Sequence, residues 1–202
     1  MDKIIEFVQK ELYNDNTGHD FNHIKRVVSN AYKILKEEGG NELIIITACY
    51  LHDIIDEKLF KNIDEQIKKI NKLLKELNYT ENDITEILDI ISSISYSKHK
   101  KLTSLNAMIV QDADRLDAIG AIGIIRTIEY GNSLNRKFYE EENLLYENDT
   151  YSFNKSTKTT LSHFYDKLLK LYELMNTTTG KKLARKRSKF LEQFLKEFYE
   201  EL

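Results

Sequence analysis

The sequence contains no proline and no tryptophan, a single cysteine, and only seven glycines among 202 residues. These counts exclude collagen-like and proline-rich chains. A lone cysteine cannot form an internal disulfide, so a disulfide scaffold is also excluded and a reducing compartment is indicated. Cys49 lies in the apolar run 44–51, where a small buried side chain is its simplest interpretation.

Long apolar runs are also missing. The longest run, residues 43–51, is far shorter than the roughly 18 residues that a membrane-spanning helix needs. Residues 1–10 carry charges throughout and do not resemble a secretion signal. The 30 Lys and Arg residues nearly balance the 33 Asp and Glu residues, and the net charge of −3 gives no general attraction for nucleic acid. We therefore expect a soluble, cytoplasmic protein that does not bind membranes.

Apolar residues recur at helical spacing along almost the whole chain, and two-residue alternation is rare. This pattern predicts an all-α fold, and the length favours a single domain. Helices are predicted before residue 14 and at about 20–38, 42–55, 63–77, 80–94, 105–130, 157–175 and 181–201. The fifth opens with the spacing of a capping box at Thr80 and Asp83. Residues 131–156 have weak periodicity and predict a long excursion, of a length often found in lids and binding loops.

Three groups of histidines and carboxylates interrupt this apolar pattern. They are His19, Asp20 and His23; His52, Asp53 and Asp56; and Asp112, Asp114 and Asp117. Burying such residues is costly unless they are paired, protonated or bound to a metal. Two imidazoles and two carboxylates form a mixed ligand set that suits Mn, Fe, Co, Ni or Zn better than calcium.

Each group also has an interpretation without a metal. A lone histidine on an amphipathic helix is more often a surface residue or a hydrogen-bonded core residue. Asp53 and Asp56 could be acceptors at a helix end, although a carboxylate at a C-terminus opposes the helix dipole. The third group could be a solvated face, but its apolar flanks at 107–110 and 118–124 indicate a buried helix. Together, the three groups favour a metal site.

The order of these residues resembles that of a known family. His23, then the doublet His52-Asp53, then Asp114 is similar to the H…HD…D signature of the HD-domain superfamily of metal-dependent phosphohydrolases. Residues 23–27 and 113–116 resemble the local motifs of that superfamily. The wider strings at 18–21, 112–123 and 163–169 resemble a bacterial subfamily of stand-alone HD hydrolases, which includes nucleoside triphosphate pyrophosphohydrolases. The resemblance spans about residues 17–200.

This resemblance implies an HD-domain fold over residues 1–202, with a metal-binding core at about 17–130 and C-terminal helices at about 157–201. It implies one divalent metal ion, which is Mn, Fe, Co, Ni, Zn or Mg with Mn favoured. The implied ligands are His23, His52, Asp53 and Asp114, and Asp112 is the runner-up for the fourth place. Asp56 resembles a water-orienting residue, and His19 is a second candidate for acid or base catalysis.

Phosphoryl transfer also needs cations around the oxygens that do not react. Arg26 and Arg115 lie close in sequence to implied ligands, and Lys167 and Arg185 are predicted from the resemblance of their surroundings. Asp117 is predicted to hold either a sugar hydroxyl or Arg115. The basic run 181–189 is either a solvated helix face or an anion-binding surface.

The function implied is hydrolysis of nucleotides, above all of nucleoside triphosphates, by a metal-activated water. One alternative is a 5′-nucleotidase-type enzyme for monophosphates, and another is a non-catalytic helical module that senses nucleotides. A helix-turn-helix nucleic-acid binder is disfavoured by the acidic net charge, and a di-iron bundle by the lack of Glu-x-x-His pairs. The resemblance also suggests a homodimer.

Overall fold

The computed structural model describes residues 1–13, 19–57, 59–94, 102–140, 144–147, 150–153 and 159–202, the two strands by their backbone alone. The helices in these ranges are α1 (Asp2–Glu11), α2 (Phe21–Glu38), α3 (Glu42–Leu51), α4 (Ile63–Glu76), α5 (Glu81–Ser93), α6 (Leu105–Asp117), α7 (Gly120–Ser133), α8 (Thr160–Asp166) and α9 (Thr178–Glu200). The all-α fold class is therefore confirmed. None of these helices combines the length and the apolar composition needed to cross a membrane.

One short hairpin lies within the predicted excursion. Strand β1 (Leu144–Glu147) pairs antiparallel with β2 (Thr150–Phe153), with Leu144 opposite Phe153. Residues 141–143, 148–149 and 154–156 of the excursion lie outside the described residues, as do the first two residues, 157–158, of the helix predicted over 157–175.

The chain divides into two compact units, residues 1–114 and residues 115–202. In the first unit, α3 packs against α1, α2 and α5. It is buried along most of its length, as its nearly continuous apolar sequence predicts. In the second unit, α7 packs against α8 and α9. The assignment of residues 1–202 to one domain, with a core at about 17–130 and C-terminal helices at about 157–201, stays a prediction.

Polar side chains cap the starts of α2, α3 and α5 in the first unit. The side chain of Asp20 accepts a hydrogen bond from the N–H of His23 and begins α2, and Asn41 caps α3 by accepting from Ile44. Thr80 and Asp83 form the predicted capping box of α5, which is confirmed. Such caps satisfy N–H groups that have no partner within the helix.

Two predicted helices of the second half are each interrupted. The predicted helix over 105–130 ends at Asp117 and restarts at Gly120, which has φ +79°, a conformation that favours glycine. The predicted helix over 157–175 consists of α8 and a 3-10 turn at Leu168–Lys170. Apolar spacing continues across both interruptions, so periodicity does not reveal them.

Candidate metal centre

Three helical segments of the first unit carry the sequence-predicted metal ligands. His23 lies in the first turn of α2, and His52 and Asp53 begin the 3-10 turn His52–Ile55 that directly follows α3. Asp114 lies near the end of α6. The structure brings these four side chains together, although they come from distant parts of the sequence.

The ring of His52 is oriented by the backbone of the helix before it. Its Nδ1–H donates to the carbonyl of Cys49 over 2.9 Å. Because a carbonyl can only accept, Nδ1 carries the proton, and the neutral ring then has a lone pair at Nε2. A hydrogen bond from the second ring nitrogen to a backbone carbonyl is a common support of metal-binding histidines.

The Cys49 side chain does not share this role. Burial, and secondly the charge of Asp114, raise the pKa of its thiol. Metal binding by cysteine requires the thiolate. Among the described residues, the groups of atoms that could hold a metal do not include the Cys49 sulfur, so Cys49 contributes its carbonyl to the support of His52.

Nitrogen and oxygen atoms that could bind a metal converge at short distances. His52 Nε2 lies 3.3 Å from His23 Nε2, 3.2 Å from Asp53 Oδ1 and 3.8 Å from Asp114 Oδ1. His23 Nε2 lies 3.4 Å from Asp53 Oδ2 and 3.5 Å from Asp114 Oδ1. Imidazole lone pairs and carboxylate oxygens repel one another at these distances unless protons or a cation lie between them. The donor set therefore fits a divalent metal ion, with nitrogen and oxygen ligands in the mixture that borderline metals accept.

The cluster is closed on one side and accessible on another. His23 is fully buried, and His52 and Asp53 are 7% and 4% exposed. The side chain of Asp114 is 36% exposed. Solvent and a small ligand can thus approach the cluster at Asp114, as a catalytic rather than a purely structural metal site requires.

Asp53 is held as a carboxylate. Burial raises the pKa of this group, but His52, His19 and His23 together outweigh burial, and the resulting pKa lies well below its usual value. His19 Nδ1 is 2.9 Å from Asp53 Oδ2. His19, His23 and Asp53 form a second group of atoms that could bind a metal, beside the group of His23, His52 and Asp114. The predicted acid or base His19 therefore contacts a predicted metal ligand.

Asp56 and Asp112 are the predicted water-orienting residue and the runner-up for the fourth ligand. Asp56 ends the 3-10 turn, where its N–H donates to the carbonyl of Asp53 over 3.1 Å. Asp112 is fully buried. Among the described residues, the groups of atoms that could hold a metal include Asp114 and not Asp112. Asp114 is therefore the better candidate for the fourth ligand.

Arg26 is the predicted substrate residue of the first unit. It lies on α2, three residues after His23, and is partly buried. Burial raises the pKa of Asp20, but the hydrogen bonds from the His23 N–H and Asn22 and the charge of Arg26 lower it on balance. Arg26 thus contributes a positive charge that acts on Asp20, the N-cap of α2.

The four predicted substrate residues of the second unit differ in their burial and in their contacts. Arg115 donates to the carbonyl of Leu174. Asp117 is 2% exposed, and its Oδ2 lies 2.8 Å from Arg126 Nη1, a pairing that sequence reasoning missed. Lys167 is partly buried just after α8, and Arg185 is exposed on α9. Binding of substrate by these four predicted residues stays a prediction.

The basic run 181–189 is not a uniform face. Arg187 donates to the carbonyl of Leu116, and burial lowers its pKa although the charge of Asp117 opposes that shift. Its neighbours Arg185 and Lys186 are exposed. Arg187 therefore serves packing within the second unit, whereas the exposed residues are accessible to an anion.

Comparison with known proteins agrees with the family resemblance seen in the sequence. A family model described as HD domain matches residues 20–119. The uncharacterized protein YpgQ of Bacillus subtilis (strain 168) is 31% identical, and the match covers 100% of this chain and 93% of that protein. The crystal structure of YpgQ in complex with ADP has a TM-score of 0.81 at 30% identity, covering 100% of this chain and 97% of that chain. The crystal structure of an HD-superfamily hydrolase from Bacillus thuringiensis has a TM-score of 0.78 at 38% identity, with coverages of 99% and 95%.

Proposed function

Because this chain belongs to the HD-domain superfamily and is a hydrolase with a His and Asp group able to bind a divalent metal, we propose that it is a phosphohydrolase of nucleotides, with nucleoside triphosphates as its main substrates. The observation that carries this proposal is that His23, His52 and Asp114 place possible ligand atoms close to one another. Asp53, the sequence neighbour of His52, contacts the His52 ring. The ADP bound by the relative YpgQ supports a nucleotide as the ligand.

The proposed site would hold one divalent ion through His23, His52, Asp53 and Asp114, and Mn²⁺ is favoured. Two neutral imidazoles and two carboxylates contribute two negative charges, which balance a divalent cation in a buried place. When bound, such an ion supplies a Lewis acid that lowers the pKa of a water and withdraws charge from phosphorus.

The remaining proposed roles belong to residues around this set. Asp56 would orient the attacking water and accept its proton, and His19 would donate a proton to the leaving group. Arg26 would bind oxygens of the phosphate chain, which carry the charge of the reaction's transition state. Arg115, Lys167 and Arg185 are further proposed phosphate ligands, and Asp117 is proposed to bind a sugar hydroxyl. A homodimer also stays a prediction.

The proposed activity is tested by metal analysis followed by a substrate screen. The metal-free protein is loaded with Mn²⁺ and offered nucleoside mono- and triphosphates, with orthophosphate and pyrophosphate measured separately. We expect triphosphates to be hydrolysed, and release of pyrophosphate would identify a pyrophosphohydrolase. Release of orthophosphate from monophosphates alone would instead indicate a 5′-nucleotidase. Nucleotide binding without any turnover would indicate a sensing module and contradict the proposal.

Replacing Arg26 with glutamine is expected to raise KM for the nucleotide about tenfold or more, because a hydrogen bond to a charged phosphate oxygen contributes about 1.5–3 kcal/mol. Steady-state kinetics measure this change. Lys25→Gln is the matched control, since Lys25 is the exposed neighbour on α2 and lies 5.7 Å from the centre of the Phe21 ring. Equal effects of both substitutions on KM would show that Arg26 has no specific contact with substrate.

A further inference from the structure

The proposed centre depends on the separation of two helices. His23 comes from α2 and Asp114 from α6, and no short connection fixes these helices to each other. Contacts between their side chains and backbones must therefore hold His23 Nε2 and Asp114 Oδ1 at their separation of 3.5 Å. Metal ligands need positions accurate to a few tenths of an ångström.

One buried hydrogen bond joins α2 to α6 beside the ligand. The Nδ2 amide of Asn30 on α2 donates to the backbone carbonyl of Ala113 over 3.1 Å, and Ala113 immediately precedes Asp114. Asn30 is 3% exposed. Its bond therefore acts on the backbone of α6 at the residue next to the ligand.

Packing alone does not explain an asparagine at this position. Val27 and Ile34, one turn before and one turn after Asn30 on the same face of α2, are both fully buried. A polar amide in such a place costs free energy unless it is hydrogen-bonded, whereas an apolar side chain of similar size would not. The bond to α6 gives the amide nitrogen a partner in this apolar surrounding.

We propose that Asn30 is a positioning residue of the metal centre, whose bond to Ala113 sets the place of Asp114 relative to His23. This inference rests on the proposed function, because it requires a metal ion at this site. Asn30 acts through Asp114 and does not contact the metal itself.

A second bond of the same kind provides a matched control. The Nε2 amide of Gln111, also on α6 and 4% exposed, donates to the carbonyl of Ile94 over 3.1 Å. Ile94 follows α5, which carries no proposed ligand. Loss of this bond should lower stability without moving Asp114 relative to His23.

The test measures Mn²⁺ affinity of the metal-free protein, which is a property separate from activity. Asn30→Leu keeps the branched shape of the side chain and removes the donor. Gln111→Met keeps the length of the side chain and removes the donor in the control. We expect Asn30→Leu to weaken Mn²⁺ binding about 10- to 100-fold, as loss of a residue that supports a ligand typically does. Gln111→Met should bind Mn²⁺ within about twofold of wild type. Asn30→Ser removes the amide without adding apolar volume and should show the same loss, so the test does not depend on the folding of one variant.

A double-substitution cycle distinguishes an effect of Asn30 on the position of Asp114 from a general loss of stability. If Asn30 acts through Asp114, then Asn30→Leu should have little further effect on Mn²⁺ affinity in an Asp114→Asn background. The inference would be overturned if both Asn30 variants bound Mn²⁺ with wild-type affinity, or if Gln111→Met lost as much Mn²⁺ affinity as Asn30→Leu. It would also be overturned if Asn30→Leu lowered Mn²⁺ affinity as much in the Asp114→Asn background as in the wild type. Failure of the wild-type protein to bind Mn²⁺ would instead overturn the proposed function on which the inference rests.

Discussion

Replacement of His52 by alanine, or of Asp53 by asparagine, is expected to lower kcat/KM for nucleotide hydrolysis by about 10³-fold or more while the helical fold is retained. A loss of this size corresponds to about 4 kcal/mol of transition-state stabilisation. His52→Ala removes a ligand nitrogen, and Asp53→Asn removes a ligand charge, from a cluster in which the two histidine Nε2 atoms lie 3.3 Å apart. Release of phosphate or pyrophosphate, bound Mn²⁺ and far-ultraviolet circular dichroism together measure the expected result.

The two substitutions should act for different physical reasons. His52→Ala removes a neutral nitrogen ligand and the bond to the carbonyl of Cys49. Asp53→Asn keeps the shape of the side chain but removes the negative charge that His52, His19 and His23 surround. Metal binding should therefore be weakened in both, although only Asp53→Asn changes the charge of the unprotonated ligand set.

Exposed residues nearby provide the controls. Glu42→Gln, at the opposite end of α3, matches His52→Ala, and Asp64→Asn, in the first turn of α4, matches Asp53→Asn. Both control residues are exposed, so activity and Mn²⁺ affinity should stay close to wild type. Full activity in either site variant would end the enzyme hypothesis.

Much of the helical architecture can be predicted from local sequence. Apolar spacing predicted the helices of the first unit, and the spacing of Thr80 and Asp83 predicted a capping box that the structure contains. These features depend on neighbours within a few residues of one another. The break between α6 and α7 was missed because it depends on the positive φ of Gly120, and a glycine in an apolar stretch does not by itself indicate a break.

The candidate site also has features that the sequence reveals and features that it does not. The residue types and the order of His23, His52, Asp53 and Asp114 are visible in the sequence, and their resemblance to a family signature predicted that they meet. The residues that support the cluster are not visible in this way. Periodicity reports which face of a helix is buried, but it does not report which polar group lies opposite on another helix. Consequently the bonds of Asn30 to Ala113 and of Asp117 to Arg126 required the structure.

The substitutions Asp114→Asn and Asp112→Asn are expected to show which of the two aspartates is the fourth metal ligand. Asp114→Asn should lower both Mn²⁺ affinity and kcat/KM by about 10²- to 10³-fold, since Asp114 Oδ1 lies 3.5 Å from His23 Nε2 and an amide cannot supply the same charge. Asp112 is fully buried and has polar interactions of its own, so Asp112→Asn should lower the free energy of unfolding by about 1–3 kcal/mol and leave Mn²⁺ affinity within a few-fold of wild type. Titration of the metal-free proteins with Mn²⁺ and urea unfolding measure the two quantities independently. The opposite pattern, with metal binding lost in Asp112→Asn and kept in Asp114→Asn, would assign the fourth ligand position to Asp112.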